Sequence, residues 1–201
     1  YKVSDITEVE LTADSYDSYP SGCSGDNCVF MHDGGLTIEK GFVCEKPTVF
    51  FVEDGLTLEP DIQNGVDQIS GCIFVVKEGN VIVEKGDNVS DGCTEPNVAN
   101  CIPQYDVIEG MVISDAQVRI PHDEGANVND GLVVHGGLLS FELSTPMSEP
   151  SIYWDRSLKL INNNAYPSLV IHQDPRFYII AKEIFGNERY AYKTDIGFKT
   201  E

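Results

Sequence analysis

Hydrophobic and polar positions repeat along the middle of the chain in five units that share one order of features. Each unit has a short apolar run, an acidic residue or histidine, a two-residue break that is mostly glycine-containing, and a second short apolar stretch. The five units cover residues 29–38, 49–58, 74–83, 111–120 and 131–140. Units of about 20 residues with insertions at one corner are typical of a stacked solenoid.

The second stretch of most units has apolar residues at its first and third positions, which predicts a strand with one buried face. Its first buried column is predicted to hold Leu36, Leu56, Val81, Val118 and Leu138. Its second buried column is predicted to hold Ile38, Leu58, Val83, Ile120 and Ser140. The outward column between them would be Thr37, Thr57, Ile82, Arg119 and Leu139.

The first apolar run of each unit is nearly continuous, which predicts a strand that is covered on both faces. The corresponding pairs in the five units are Phe30-Met31, Phe50-Phe51, Val75-Val76, Val112-Ile113 and Leu132-Val133. Together the two strands predict an all-β fold, a parallel β-solenoid (β-helix) of about five coils. The alternative is an antiparallel β-sandwich or jelly roll, since short strands with glycine turns build those folds as well.

The repeats divide the chain into three predicted parts. Residues 1–22 form an N-terminal extended segment, with an alternating stretch at 6–11 that could pair with a sheet, followed by a loop from Ser15 to Gly22. Residues 23–143 form a disulfide-braced solenoid, and residues 144–201 form a linker and a C-terminal cap. We expect the N-terminal segment to pair with its own sheet or with that of a neighbouring subunit.

The C-terminal part contains the clearest helix signal of the sequence. A predicted strand, 167–172, is followed by Asp174 as N-cap and Pro175 as first helical residue. Phe177, Ile180 and Ile184 then recur at helical spacing. We expect this helix to cap the open core at the last coil, and we expect residues 190–198 to form a closing strand.

The composition is strongly acidic, with a formal net charge of −20. This charge repels phosphate backbones and anionic lipid surfaces, so nucleic-acid binding is not expected. The chain begins at Tyr1 rather than methionine and has no long apolar run. We therefore expect a processed leader or a piece of a longer protein, and no membrane insertion of this segment.

The cysteine pattern favours disulfides over a zinc site. The six cysteines are Cys23, Cys28, Cys44, Cys72, Cys93 and Cys101. Their spacing lacks the close Cys-x2-Cys pairs of zinc sites, whereas an even number of loop cysteines is typical of an oxidising compartment. We favour the pairs Cys23–Cys28, Cys44–Cys72 and Cys93–Cys101 among the possible connectivities. An extracellular or cell-surface location follows as an expectation.

Carboxylates recur at two positions of the repeat. Asp33, Glu53, Glu78 and Asp115 precede the corner, and Glu39, Glu59 and Glu84 follow the second strand. Stacked coils would turn each set into a ladder of like charges, which destabilises a sheet unless cations are bound. The sequence requires no cofactor, but these seven residues are candidate calcium ligands.

No catalytic motif is present, and no catalytic residue is predicted. The four histidines are scattered, and His122-Asp123-Glu124 in a polar loop is more typical of solvated residues than of a metal site. Polysaccharide-degrading solenoids use clustered carboxylates on one outer face. The predicted outward column holds none, so a non-enzymatic role is favoured.

The glycine-punctuated repeats, followed by the stretch Asn162-Asn-Asn-Ala-Tyr-Pro-Ser-Leu-Val-Ile-His-Gln-Asp-Pro-Arg-Phe-Tyr178, resemble uncharacterised secreted β-solenoid proteins of bacteria. Some of these are related to pilus-assembly or other cell-surface components, and the resemblance covers about residues 29–200. The resemblance implies a parallel β-solenoid and an extracytoplasmic location. For the function, we expect a non-catalytic extracellular structural protein, a component of a cell-surface fibre, pilus-like appendage or surface layer, that self-associates into a polymer or joins other surface proteins. The alternative is a carbohydrate-binding or polysaccharide-degrading solenoid.

Overall fold

The computed structural model describes residues 6–65, 70–84, 104–121, 130–141, 151–154 and 168–185. These residues form fifteen strands and one C-terminal helix, α1 (Pro175–Phe185). The strands are β1 (Ile6–Glu10), β2 (Ser15–Tyr16), β3 (Asn27–His32), β4 (Leu36–Ile38), β5 (Val43–Cys44), β6 (Pro47–Val52), β7 (Leu56–Leu58), β8 (Gln63–Asn64), β9 (Gly71–Val76), β10 (Val81–Val83), β11 (Gln104–Ser114), β12 (Val118–Ile120), β13 (Asp130–Ser140), β14 (Ile152–Trp154) and β15 (Leu169–His172).

The strands form three sheets. Sheet A has the order β1-β3-β6-β9-β11-β13-β15, sheet B the order β2-β4-β7-β10-β12-β14, and sheet C pairs β5 with β8. Every pair among the described strands is parallel. The described part of the chain is therefore all-β with parallel sheets, and the antiparallel sandwich is wrong for it.

The chain turns sharply where it passes from sheet A to sheet B. The corners after β3 and β6 contain Gly34 and Gly55, whose φ angles are +135° and +119°. These values lie in a backbone region that L side chains rarely adopt, so the corners require glycine. The glycine signal in the sequence thus marks real corners in these two units.

The core lies between sheets A and B. The rings of Phe30 and Phe50 lie 5.0 Å apart on neighbouring strands, and those of Phe50 and Phe74 lie 5.2 Å apart. All three are fully buried. On sheet B, the predicted column from Leu36 through Val118 is in register, as is most of the second column. Aligned side chains of one size on successive strands let the core continue from one strand to the next.

The predicted register is wrong by one residue in the first strand of the third unit. Phe74 rather than Val75 pairs with Phe50, and Val76 pairs with Val52. Four residues, 77–80, then separate β9 from β10, whereas three residues fill the corresponding corners of the first two units. The sheet-B register is unaffected, because the extra residue is absorbed within the corner.

The fifth unit also departs from the prediction. Gly136 and Gly137 do not turn a corner but lie within the long strand β13, where an added Cβ at Gly136 would collide with the carbonyl oxygen of Gly110. Leu138 consequently pairs with Val112 in sheet A, and the place beside Val118 in sheet B is taken by Ile152. Leu138, Leu139 and Ser140 therefore do not belong to the predicted sheet-B columns.

The N-terminal segment pairs with the chain's own sheets. β1 joins β3, and β2, which lies in the predicted loop Ser15 to Gly22, joins β4. Tyr19 packs edge-on against Phe30, and burial raises the pKa of its hydroxyl to about 12. This segment therefore covers the first end of the core, and its strands belong to the chain's own sheets.

The helix forms where the sequence predicts it but does not cap the last coil. Asp174 is the N-cap, since its Oδ1 accepts the backbone N–H of Arg176 at 2.9 Å. Phe177, Ile180 and Ile184 pack on the outer face of sheet A, against Val29, Val49 and Ile73. Glycine at 71 and 136 leaves room for the Phe177 ring. The far end of the sheets is instead formed by β14 and β15, and the predicted strand 190–198 lies outside the described residues.

Candidate functional site

The predicted acidic corner exists, but a lysine belongs to it. Val76 pairs with both Val52 and Ser114, so Lys77 follows in the column between Glu53 and Asp115. Glu78 lies one residue further on, and its N–H donates to the carbonyl oxygen of Glu53 at 2.8 Å. The structure therefore brings the predicted carboxylates onto neighbouring strands, with a cation of the chain among them.

Lys77 changes the electrostatics of this corner. Its Nζ lies 2.6 Å from Oε1 of Glu53, and this hydrogen bond is the main reason that the pKa of Lys77 is raised. Partial burial, followed by the nearby Glu78 charge, raises the pKa of Asp115. Both groups of the ion pair are exposed, so its net contribution to stability is small. It nevertheless reduces the repulsion that the sequence pattern implies.

The second set of carboxylates is aligned as predicted. Glu59 donates its N–H to Ile38, and Glu84 donates its N–H to Leu58, so Glu39, Glu59 and Glu84 follow neighbouring strands of sheet B. The Glu39 carboxylate accepts a hydrogen bond from Ser15, and that of Glu59 accepts the Lys40 N–H at 3.2 Å. Among the described residues, no group of three or more His, Cys, Asp or Glu side chains is placed to hold a metal ion. Calcium binding stays a prediction.

Replacing Lys77 by glutamine should lower the melting temperature at low ionic strength, because Glu53 and Asp115 then face each other's charge without a cation between them. High salt should restore most of the loss, since exposed charges are screened within about 10 Å at 0.1 M. Thermal melts in low and high salt, with and without millimolar Ca²⁺, measure this.

The control for this prediction is Lys182→Gln, which removes an exposed lysine on α1, outside both sets of predicted carboxylates, and should show a smaller salt-dependent difference. A stronger stabilisation by Ca²⁺ of Lys77→Gln than of the wild-type protein would support a cation site at this corner. Identical melts of the variant and the wild-type protein at low salt would contradict the assigned role of Lys77.

A second polar cluster lies where α1 begins, and the sequence analysis missed it. Glu109, His135 and His172 occupy one register column on β11, β13 and β15. The two imidazole rings are stacked, with centroids 5.2 Å apart and planes inclined by 13°. The sequence analysis missed this column because its alignment of the fifth unit placed His135 at a corner, whereas His135 lies within β13.

Arg176 ties this cluster to the helix. Its Nε donates to Oδ2 of Asp174 at 2.7 Å, and this bond is the main reason that the pKa of Asp174 is lowered. The Asn64 amide, oriented to satisfy its neighbours, accepts from Nη2 of Arg176 at 3.2 Å and donates to the Glu109 carbonyl oxygen at 3.3 Å. The network fixes the start of α1 on sheets A and C, which is a positioning role.

The cysteines are paired in two of the three expected combinations. Cys23 is bonded to Cys28, and Cys44 on β5 is bonded to Cys72 on β9, with Cα–Cα distances of 5.8 and 5.6 Å. Cys93 and Cys101 lie outside the described residues. Disulfides persist in oxidising compartments, so these bonds indicate a non-cytoplasmic, secreted protein. The described residues include no helix with the length and apolar character needed to span a membrane.

The outward column of sheet B differs from the prediction at its last position. It holds Ser15, Thr37, Thr57, Ile82, Arg119 and Tyr153, so Tyr153 stands where Leu139 was expected. Leu139 instead faces outward from sheet A and is exposed. This corrected column contains no carboxylate.

Comparisons with protein-family models, with characterised proteins and with solved structures find no match. The resemblance to secreted solenoid proteins therefore gains no support from them, and a function must be argued from the geometry alone.

Proposed function

We propose that the protein is a non-catalytic structural component of an extracellular or cell-surface assembly, such as a fibre, a pilus-like appendage or a surface layer. In this proposal the parallel strands wind as a β-solenoid. Support comes from the order of the strands, since β3, β6 and β9 add to sheet A in sequence order while β4, β7 and β10 add to sheet B. Disulfides and an acidic surface suit an extracellular setting.

The observation that carries the proposal is that the strands at the two ends of sheets A and B have an unpaired edge among the described residues. Among the described strands, β1 and β15 each have one partner at the ends of sheet A, and β2 and β14 each have one at the ends of sheet B. Unpaired edges of parallel sheets are templates for another chain. Because the two ends differ, contact between them is heterologous, and such contacts produce open filaments when they do not close into a ring.

A non-catalytic role is favoured over the carbohydrate-degrading alternative by the outer face of sheet B. Retaining and inverting glycosidases need two carboxyl groups about 5–9.5 Å apart across the scissile bond. The outward column of this sheet presents hydroxyl groups, Ile82, Arg119 and Tyr153 instead of such a pair. The alternative function that this face still allows is carbohydrate binding without hydrolysis.

Replacing Glu10 by proline should abolish self-association. The N–H of Leu11 bonds to Met31 of β3, and successive N–H groups of a strand point to opposite edges, so the Glu10 N–H points to the open edge. Proline removes that donor and is tolerated on edge strands. Sedimentation velocity over a range of protein concentrations, with imaging of the assemblies, measures the effect.

The matched control is Glu10→Gln, which removes the same charge but keeps the N–H group. This variant should assemble like the wild-type protein, and both variants should melt at similar temperatures. If Glu10→Pro assembles as well as Glu10→Gln, the β1 edge is not a contact between copies. If the wild-type protein is monomeric at every concentration, the structural proposal fails.

A further inference from the structure

The outer face of sheet A carries two neighbouring columns of apolar side chains. The first, which we call the helix column, consists of Val29, Val49, Ile73 and Met111. The second, which we call the open column, consists of Met31, Phe51, Val75, Ile113 and Leu139. Outward-facing apolar columns two residues apart on successive strands form one continuous surface.

Helix α1 covers the helix column but leaves much of the open column accessible. Phe177, Ile180 and Ile184 bury Val29, Val49 and Ile73. In the open column, by contrast, Met31 is 48% exposed and Leu139 is 41% exposed. The middle of this column is half-buried. Five strands about 4.8 Å apart give the open column a length of about 19 Å.

The helix forms an apolar wall along one side of the open column. The Phe185 ring meets that of Phe51 edge-on, with centroids 6.1 Å apart. Tyr178 lies on the same flank of the helix as Phe185, since seven residues make about two turns, and it is 61% exposed. The open column and this wall together form a groove, which we call the sheet A groove.

The opposite rim of the groove is acidic. Asp33, Glu53 and Asp115 lie in the corners directly after β3, β6 and β11, two residues beyond Met31, Phe51 and Ile113, so they border the open column on its corner side. All three are exposed, and Glu78 adds a further charge beside them. Glu10 closes the β1 end of the open column, where it pairs with Met31. Lys77 is the cation of this rim, and it is paired with Glu53.

We propose that the sheet A groove binds a basic amphipathic segment of a partner protein, which lays an apolar stripe on the open column and Lys or Arg side chains on the acidic rim. A helix of about 13 residues spans 19 Å at 1.5 Å per residue. Apolar contact supplies the affinity, and complementary charge selects the partner and its orientation.

The acidic rim favours this occupant over two others. A second copy of a chain with a net charge of −20 would bring a second acidic rim against the first. An anionic lipid surface is repelled in the same way. A basic protein segment is attracted by the rim and also covers the exposed apolar side chains.

The test uses fluorescence anisotropy with the full chain and three synthetic 14-residue peptides. The first is a leucine/lysine peptide with leucines on one helical face, the second has the same composition in scrambled order, and the third has glutamate in place of lysine. We expect the first to bind at least tenfold more tightly than the other two. Equal binding of the scrambled peptide would reduce the interaction to general attraction by an acidic protein and would overturn the proposal.

The variants locate the binding. Met31→Gln combined with Leu139→Gln changes no charge, affects two exposed positions and should weaken binding of the first peptide at least tenfold. Tyr153→Gln, at an exposed position on the outer face of sheet B, is the matched control and should change it less than twofold. Thermal melts check that both variants are folded. Equal effects of the two changes would overturn the proposal.

Two further outcomes would assign the groove to other occupants and would also overturn the proposal. If the double variant lowers the self-association of the full chain in the absence of peptide, the groove is a contact between copies. If the full chain binds no peptide but a chain ending at Phe185 does, the residues after Phe185 occupy the groove. Peptide binding is measured at concentrations at which the full chain is monomeric, so the result for the groove is independent of the proposed end-to-end assembly.

Discussion

Replacing Phe50 by alanine should lower the free energy of unfolding by about 3–5 kcal/mol, which is the usual cost of deleting a fully buried phenylalanine. The Phe50 ring is fully buried and lies 5.0 Å from Phe30, 5.2 Å from Phe74 and 6.0 Å from Phe42. Phe30 and Phe74 belong to strands that hydrogen bonds hold in register with β6, so they cannot collapse into the cavity. Chemical denaturation of both proteins measures the difference.

The adjacent residue provides a matched control. Phe51 belongs to the same strand but faces outward and is half-buried beside α1. Phe51→Ala should therefore cost about 1–2 kcal/mol, since less apolar area returns to water. Equal losses for the two variants would mean that the inner and outer faces of β6 are not distinguished as described, and the register of sheet A would then be wrong.

The sequence predicts the sheet-B columns well because two local signals agree there. Leu36 and Leu56 each start a three-residue alternating stretch, Val81 starts an apolar stretch of the same length, and each follows a break that contains glycine. The alternation sets which face is buried, and the break sets where the strand begins. Both signals lie within one unit, so no long-range information is needed.

The fifth unit shows where such local signals fail. The Gly136-Gly137 pair looks like a corner in the sequence, but these glycines lie in an extended strand because β11 and the Phe177 ring approach them closely. A glycine in the sequence indicates that a side chain does not fit at that position, but it does not show whether a sharp turn or a close neighbour is the reason. The true partner of β12 is β14, a three-residue strand around Tyr153 with no repeat signal of its own.

For the candidate sites, too, local sequence signals predict some features, whereas others depend on contacts between distant parts of the chain. The acidic residues of the corner are predicted because four of the five units repeat them, but the position of Lys77 depends on one additional residue in a single corner. The stacked His135 and His172 come from strands that are distant in the sequence and meet only through register. The helix is predicted from its cap and spacing, whereas its place on sheet A depends on the outward columns of other units.

Replacing both Cys44 and Cys72 by alanine should have the second large effect, a loss of about 3–4 kcal/mol in the free energy of unfolding. Loop-closure entropy gives this value for a crosslink that spans 28 residues. The bond joins sheet C to sheet A inside the core, where both cysteines are fully buried. Its removal frees the unfolded chain and also leaves a small cavity in the folded one.

The Cys23–Cys28 bond is the natural comparison, because it closes a loop with a separation of only five residues near the N-terminal end. The same relation gives about 2 kcal/mol for its removal. Denaturation of the two double variants and the wild-type protein under non-reducing conditions measures both losses, and a reducing agent should bring the wild-type protein below either variant. If reduction leaves its stability unchanged, the cysteines are not bonded in the native protein. The argument for a non-cytoplasmic location would then be lost together with the crosslinks, because both rest on the same two bonds.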